Sequence, residues 1–498
     1  MSEERISRSA GFAFSSQMIG AVLTAVLTIF LGRELSADQY GSFAFALSVV
    51  VIATIFADVG ITSSTARFLA ERRGDPQAAA EVFRTGMYLK VRVGLVSSVA
   101  LFVLAGPICD VFGTSPALWP LRGMAVSLLA QSMFLLLLGA FIALGRIRYN
   151  LIISAVESVV EVLASVVLVL LGAAATGAAF GNAIGYAAGL LVGLAVAKRA
   201  IGNLRSGERR PPSASSLPEV SARDILSYAR PLLLIDAAFR MFASIDILLI
   251  AALVGGGAPV AAFGLSMRLA QFLDYPAAAV ASAVAPRLAS WREGHSDIEL
   301  FSESLRYLLI LQMLFTAPLV IWSGAILHLI FGNKYPGAPA VLQAFAPFVY
   351  LSGVGQITTL AVNYLGEARR RVPIAIAMLT INVVVDAVLL PRIGIIAGAI
   401  GTSAAYALWV PAHLWLLHEI AGLRLRPLVV TILKSCVAGG AMVGVLAALG
   451  TGDVSLPLMA AGAVLGPAVY VAALLVVREL KLEDFAKLRG VVARRVAA

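Results

Sequence analysis

Residues 228–252, YARPLLLIDAAFRMFASIDILLIAA, are long and apolar enough to cross a bilayer, yet they carry Arg230, Asp236, Arg240 and Asp246. A charge held near the centre of the hydrocarbon costs roughly 2.5–3.5 kcal/mol on insertion scales, so such side chains face a bundle interior or a wet cavity. At about 100° per residue Asp236, Arg240 and Ser244 fall on one stripe. In the next apolar stretch, 260–284, Arg268, Gln271 and Tyr275 repeat that pattern, with Asp274 beside Pro276. Two guanidinium groups at membrane depth offer permanently charged forks that match phosphate oxygens. Arg240 reads either as such a ligand or as the partner of Asp236 one turn earlier. Lys90 and Arg92 enter an earlier stretch from its inner end, where they either line a cavity mouth or reach the head groups. Carboxylates supply a second chemistry. Glu157 and Glu161 share a helix face about 10 and 16 Å from its inner end, and Asp386 lies in the repeat-related stretch with Asn382 at the position of Glu161. Buried acids of this kind carry protons, hold Na+ or neutralise arginines.

The elements that must position these groups are transmembrane helices. The 498 residues are 60% hydrophobic and 13% charged, with a mean hydropathy of +0.92, against about 25% charged in an average soluble domain. The net charge of +10 sits in short loops and the tail, so membrane topology explains it and nucleic acid is not an expected partner. Cys109 and Cys436 fall at different depths and are not expected to pair. His413 and His418 are about 140° apart on a helix, His295 and His328 are isolated, and no metal site or cofactor is expected. No phosphate-binding loop for ATP is present.

Apolar stretches of spanning length occur near 10–32, 41–63, 87–108, 119–143, 150–171, 175–197, 229–252, 260–284, 306–331, 340–364, 373–390, 395–417, 428–449 and 457–477, each close to the ~20 residues a bilayer requires. Loops on one side carry Arg67, Arg72, Arg146, Arg148, Arg369, Arg370 and Arg371, and those on the other only Arg33, Lys334 and Arg392. This asymmetry predicts that both termini are cytoplasmic. The expected fold is therefore an all-α membrane protein of about fourteen spans. Its longest link, 198–227, has the Pro/Ser-rich centre GERRPPSASSLPE, a linker composition. The two sides of that link match at an offset of about 220: YGSFAFALS at 40–48 with VAAFGLSMR at 260–268, and GAAFGNAIGYA at 177–187 with GAIGTSAAYA at 398–407. Six spans per repeat make two parallel lobes, 1–200 and 228–418, joined by the linker 201–227. Spans thirteen and fourteen, 419–477, lie outside the repeat. The tail, 478–498, reads either as an amphipathic interfacial helix on anionic lipid or as a solvated end.

Residues 32–72, GRELSADQYGSFAFALSVVVIATIFADVGITSSTARFLAER, resemble the Wzx-type bacterial polysaccharide flippases, relatives of the lipid II flippases and of the MATE multidrug extruders within the MOP exporter superfamily. The matching positions are Arg33, Tyr40, Gly41, Asp58, Gly60 and Arg67, with Val59 where the pattern has Leu and Ser-Ala-Asp where it has Gly-Pro-Glu; SMRL at 266–269 extends the likeness. The resemblance implies a MATE-like fold and a monomer in the bacterial cytoplasmic membrane. It implies movement of an undecaprenyl-pyrophosphate-linked glycan to the outer leaflet by alternating access, alongside a polysaccharide polymerase and export machinery. Arg240, Arg268, Asp236, Gln271, Lys90 and Arg92 are then the candidate cavity residues, and Glu157, Glu161 and Asp386 the candidates for ion coupling. A multidrug extruder is the near alternative. A polysaccharide polymerase or ligase, an enzyme of the same pathway, fits less well because every outer loop is short.

Overall fold

The computed structural model describes residues 3–72, 75–206, 220–275, 277, 280, 298–452 and 454–481. Among the described residues there is no strand. The first half comprises α1 (Glu3–Glu34), α2 (Ala37–Asp58), α3 (Ile61–Glu71), α4 (Pro76–Val111), α5 (Leu118–Ala143), α6 (Ile147–Leu168) and α7 (Ala174–Ser206). The second begins with α8 (Ala222–Phe242), α9 (Ile245–Leu253) and α10 (Ala258–Phe272) and continues with α11 (Ile298–Phe331), α12 (Ala338–Ala344), α13 (Ala346–Tyr364), α14 (Arg371–Ile393) and α15 (Ile396–Ala421). The last two helices are α16 (Leu425–Leu449) and α17 (Leu456–Val476). Over its described residues, each of the fourteen expected spans coincides with a helix or a helix pair.

Eight helical segments among the described residues are long and apolar enough to cross a membrane, or nine when α12 and α13, bent by 46° at their junction, count as one. One of the eight, Ile147–Lys198, holds two expected spans. Gly172, at φ 91°, and Ala174, at φ 46°, reverse the chain between α6 and α7. The two helices then lie together along Gly177, Gly181, Gly185, Gly189 and Gly193, spaced four apart. A Cβ on Gly181 would strike Ser165, one on Gly185 would come 2.6 Å from the Glu161 Cβ, and one on Gly189 would come 2.7 Å from the Glu157 Cβ. Small residues at this spacing let helix backbones approach where lipid supplies no hydrophobic drive for association.

By contact the chain forms two compact units, one of Met1–Leu265, Lys334–Gly337 and Ala375–Gly401, the other of Ser266–Asn333, Ala338–Ile374 and Thr402–Ala498. In the second unit α17 ends at a left-handed Arg478, φ 54°, which aims Glu479 inward. The Glu479 carboxylate accepts hydrogen bonds from Arg306 Nε at 2.8 Å and Thr431 Oγ1 at 2.8 Å and pairs with Lys434 at 3.2 Å. Burial alone would raise this carboxyl, but the three donors outweigh it and hold it below the ordinary glutamate range. Spans thirteen and fourteen are thereby fastened to α11. Most of the expected tail helix, 482–498, lies outside the described residues.

The glycine ladder gives a direct expectation. Gly185→Val overpacks α6 against α7 and costs about 1–3 kcal/mol. Gly440→Val, where an added Cβ would meet nothing within 4 Å, leaves the thermal unfolding midpoint in place. Equal midpoints for the two variants would contradict the close helix approach.

Candidate functional site

The span that carries Arg240 is broken. Residues Ala243 and Ser244 turn between α8 and α9, with the Ser244 amide reaching back to the Met241 carbonyl at 3.1 Å. Ser244 therefore leaves the stripe that a continuous helix predicts. The break puts Arg240 in the last turn of α8 and Asp246 in the first turn of α9, each at the helix end whose partial charge favours it. Arg240, half-buried, donates from Nη1 to Thr54 Oγ1 of α2 at 2.7 Å. The side chains of Arg230 and Asp236 lie outside the described residues. In the second unit Arg268 and Gln271 are half-buried on α10, and Tyr275 lies near Arg268. Among the described residues no carboxylate pairs with Arg268.

Two expected cavity residues are placed elsewhere. Lys90 is fully buried and bonds Asp58 and, at 3.0 Å, Thr62 Oγ1, so its charge is spent on an internal ion pair and not on a cavity mouth. Arg92 is exposed and stacks on Tyr88 at 4.1 Å, on the face that carries Leu95, Val96 and Val99, all at least 49% exposed. An apolar exposed face is the lipid side, which Arg92 crosses by snorkelling.

The motif residues hold backbone geometry. The Asp58 carboxylate accepts from Thr62 N at 3.1 Å and Thr62 Oγ1 at 2.7 Å, bracing a turn in which Val59, at φ 47°, and Gly60, at φ 75°, are both left-handed. Arg67 is exposed and pairs with Glu71 at 2.9 Å. At the end expected to face outward, the carbonyl of Arg33 accepts from Lys334, and that of Gly32 accepts from the Tyr335 hydroxyl at 2.9 Å. Tyr40 packs edge-on to Tyr335. Gly41 meets the Gly257 carbonyl so closely that no Cβ fits between them. Asp38 Oδ1 accepts the Ala258 amide at 3.0 Å, which caps α10 with a carboxylate. Residues 38 and 258 are equivalent in the sequence repeat, so the bond joins the starts of two matching helices.

The carboxylates occupy two settings in the first unit. Glu157 and Glu161 of α6 face α7, where Asn182 Nδ2 donates to Glu161 Oε1 at 2.7 Å. Asp386 of α14 lies beside Asp246, and Asp246, Asn382 and Asp386 are at most 1% exposed. Neither oxygen of Asp386 meets a donor, and the Asn382 amide is unsatisfied at both atoms. Gly401 leaves room for both: a Cβ there would run into Asp386 and stand 3.1 Å from Asn382 Nδ2. Helix periodicity alone did not bring Asp246 together with Asp386, because the break between α8 and α9 has neither Gly nor Pro to mark it. Asp274, bonded by the Ser352 hydroxyl in the second unit, was visible only as an acid beside a proline.

The Asp38 contact is testable directly. With Cys436→Ser removing the exposed native thiol, cysteines at 38 and 258 should form a disulfide under mild oxidation, seen as a mobility shift that a reductant reverses. No cross-link under any oxidant would contradict the contact.

Comparison with known proteins gives a family and a fold. The model of a family described as polysaccharide biosynthesis protein matches residues 6–291, more than half of the chain. Among solved structures, the fold is similar to the lipid II flippase MurJ in an inward closed conformation, with a TM-score of 0.71 at 13% identity over 93% of this chain and 97% of that one. It is also similar to an inward-facing multidrug resistance MATE family transporter of the MOP superfamily, with a TM-score of 0.65 at 14% identity over 81% of this chain and 95% of that one. A MOP superfamily transporter from Pyrococcus furiosus follows, at 0.58 and 15% over 84% and 95%. No curated protein sequence matches the chain. By its family match the chain belongs to the polysaccharide biosynthesis protein family, and its helical architecture has the fold seen in MurJ and the MATE transporter.

Proposed function

We propose that this chain flips a polyprenyl-pyrophosphate-linked glycan from the cytoplasmic to the outer leaflet of the bacterial cytoplasmic membrane, with both termini inside and the lobes 1–200 and 228–418 rocking about the head group. The observation that carries the reading is Arg240, half-buried at the C-terminal end of a half-helix within a broken span. Discontinuous spans of this kind build midplane sites in transporters, and a planar guanidinium there suits a diphosphate that must leave water. The family match to polysaccharide biosynthesis favours a lipid-linked sugar as the cargo. The carbonyl and carboxylate contacts at Arg33, Asp38 and Gly41 support a state closed at the outward end, which must part for release.

Asp246, Asn382 and Asp386 serve as the coupling site in this reading. Their oxygens are hard ligands, buried and not engaged by donors at Asp386, which suits a small cation such as Na+. A bound Na+ would neutralise one of the two carboxylate charges at the break in the span and so bias its conformation.

Surface glycan in a complemented deletion strain tests the head-group role. Arg240→Ala should lower it roughly tenfold or more, the loss of one or two charge-assisted hydrogen bonds, and Arg240→Lys should keep part of it by retaining charge without the fork. Asp386→Asn should remove the dependence of export on the sodium gradient. Normal surface glycan from a well-expressed Arg240→Ala/Asp236→Ala double variant would remove Arg240 from substrate binding. The likeness to MATE transporters keeps drug extrusion as the rival: restored resistance to cationic dyes without restored glycan would favour it.

A further inference from the structure

Within the first unit, α4 and α5 form a clasped antiparallel pair. Ser98 Oγ of α4 donates to the Ala125 carbonyl of α5 at 2.6 Å, and a Cβ on Gly94 would come 2.7 Å from Ser132 Oγ. In that register Phe102, one turn beyond Ser98 toward the end expected to face outward, comes opposite Arg122. The guanidinium carbon of Arg122 lies 5.1 Å from the Phe102 ring centre and 5.0 Å from that of Trp119, within the reach of cation–π attraction. Two rings thus hold the cation in place, but they give its N–H groups no oxygen to bond. Nε is buried and meets no acceptor.

The neighbouring helices do not supply an anion either. At this end α5 is packed by α2, α4, α7 and the turn Ser115–Ala117. The start of α7, AATGAAFGN, and the turn carry no charge. The acids of α2 and α4 here are Asp38, which caps α10, and Asp110, which is exposed. Among the described residues neither pairs with Arg122.

The surface around the guanidinium is apolar. Val99 and Val103 of α4 are 54% and 66% exposed, and Trp119 and Val126 of α5 are 56% and 48% exposed, while Ser98 and Ala125 are buried between them. These side chains are the walls of one lipid-facing groove, and the cation sits at its outward end. Arg122 stands three residues inside a span that begins at 119, about 5 Å in, which is the edge of the ~30 Å hydrocarbon core where lipid phosphates begin. A phosphate there gives the planar guanidinium its missing acceptors. Only a phosphate that carries acyl chains also covers the walls. A headgroup with its own ammonium would set a second cation beside Arg122, so an anionic headgroup fits better.

We propose that the groove between α4 and α5 binds one phospholipid of net negative charge, its phosphodiester on the Arg122 guanidinium and an acyl chain along Val99, Val103 and Val126. The inference rests on the membrane-spanning fold and not on the nature of the cargo.

Trp119 lies in the site and reports its occupant. Full-length chain is reconstituted in phosphatidylcholine vesicles that contain either brominated phosphatidylglycerol or brominated phosphatidylcholine. Subtracting the signal of Trp119→Phe isolates the quenching of that indole from the other tryptophans. The brominated phosphatidylglycerol should quench it with a relative affinity roughly fivefold higher, the scale of one basic residue against anionic lipid. Arg122→Gln should bring the two lipids level, and Arg122→Lys should keep part of the preference by retaining charge without the fork. Equal quenching by the two lipids with Arg122 in place would overturn the proposal, and that comparison needs no change at Arg122. A preference left intact by Arg122→Gln would overturn it equally. Recovery of the fluorescence by unlabelled undecaprenyl diphosphate, but not by unlabelled phosphatidylglycerol, would assign the groove to the cargo and also overturn it.

Discussion

The cost of holding charge in hydrocarbon governs how this chain is built. A charged side chain at the bilayer centre costs roughly 2.5–3.5 kcal/mol or more, and the fold meets that cost in three ways. Lys90 and Asp58 neutralise one another inside the first unit, with Thr62 completing the cluster. Arg92 escapes sideways over Tyr88. Arg240 and Asp246 sit at the two ends of a helix break whose dipoles favour them. The third solution sets a cation and an anion at the two sides of one helix break.

Small residues keep helices close-packed at places that the internal sequence match makes equivalent. The ladder from Gly177 to Gly193 seats α7 on α6, and Gly401 seats α15 on α14. The acids at these places meet different neighbours. Glu161 meets an amide NH2, whereas Asp386 meets another carboxylate, Asp246. The Asp38–Ala258 bond joins two positions that the internal sequence match makes equivalent.

Much of this architecture was legible in the amino-acid order. Hydrophobic length located the stretches that the described residues form as helices. Tyr40-Gly41 and Asp58-Val59-Gly60 were recognisable as motifs, and the structure supplies their physical reasons: no room for a Cβ beside Gly257, and two left-handed residues in succession. Periodicity failed where the helix itself stopped. Ala243 and Ser244 carry no breaker signal, so Ser244 was assigned to a stripe that ends at Arg240. The pairing of Lys90 with Asp58 spans 32 residues, and pairing at that range is not written in local pattern.

The central claim is that the cargo is a lipid-linked glycan whose diphosphate crosses the membrane through this chain. Mass spectrometry of lipid extracts from a strain lacking the chain tests it most directly. A polyprenyl-diphosphate glycan that accumulates in that strain and disappears on complementation with the wild-type chain, but not with Arg240→Ala, is the predicted result. Extracts with unchanged polyprenyl-linked glycans in all three strains would contradict the account.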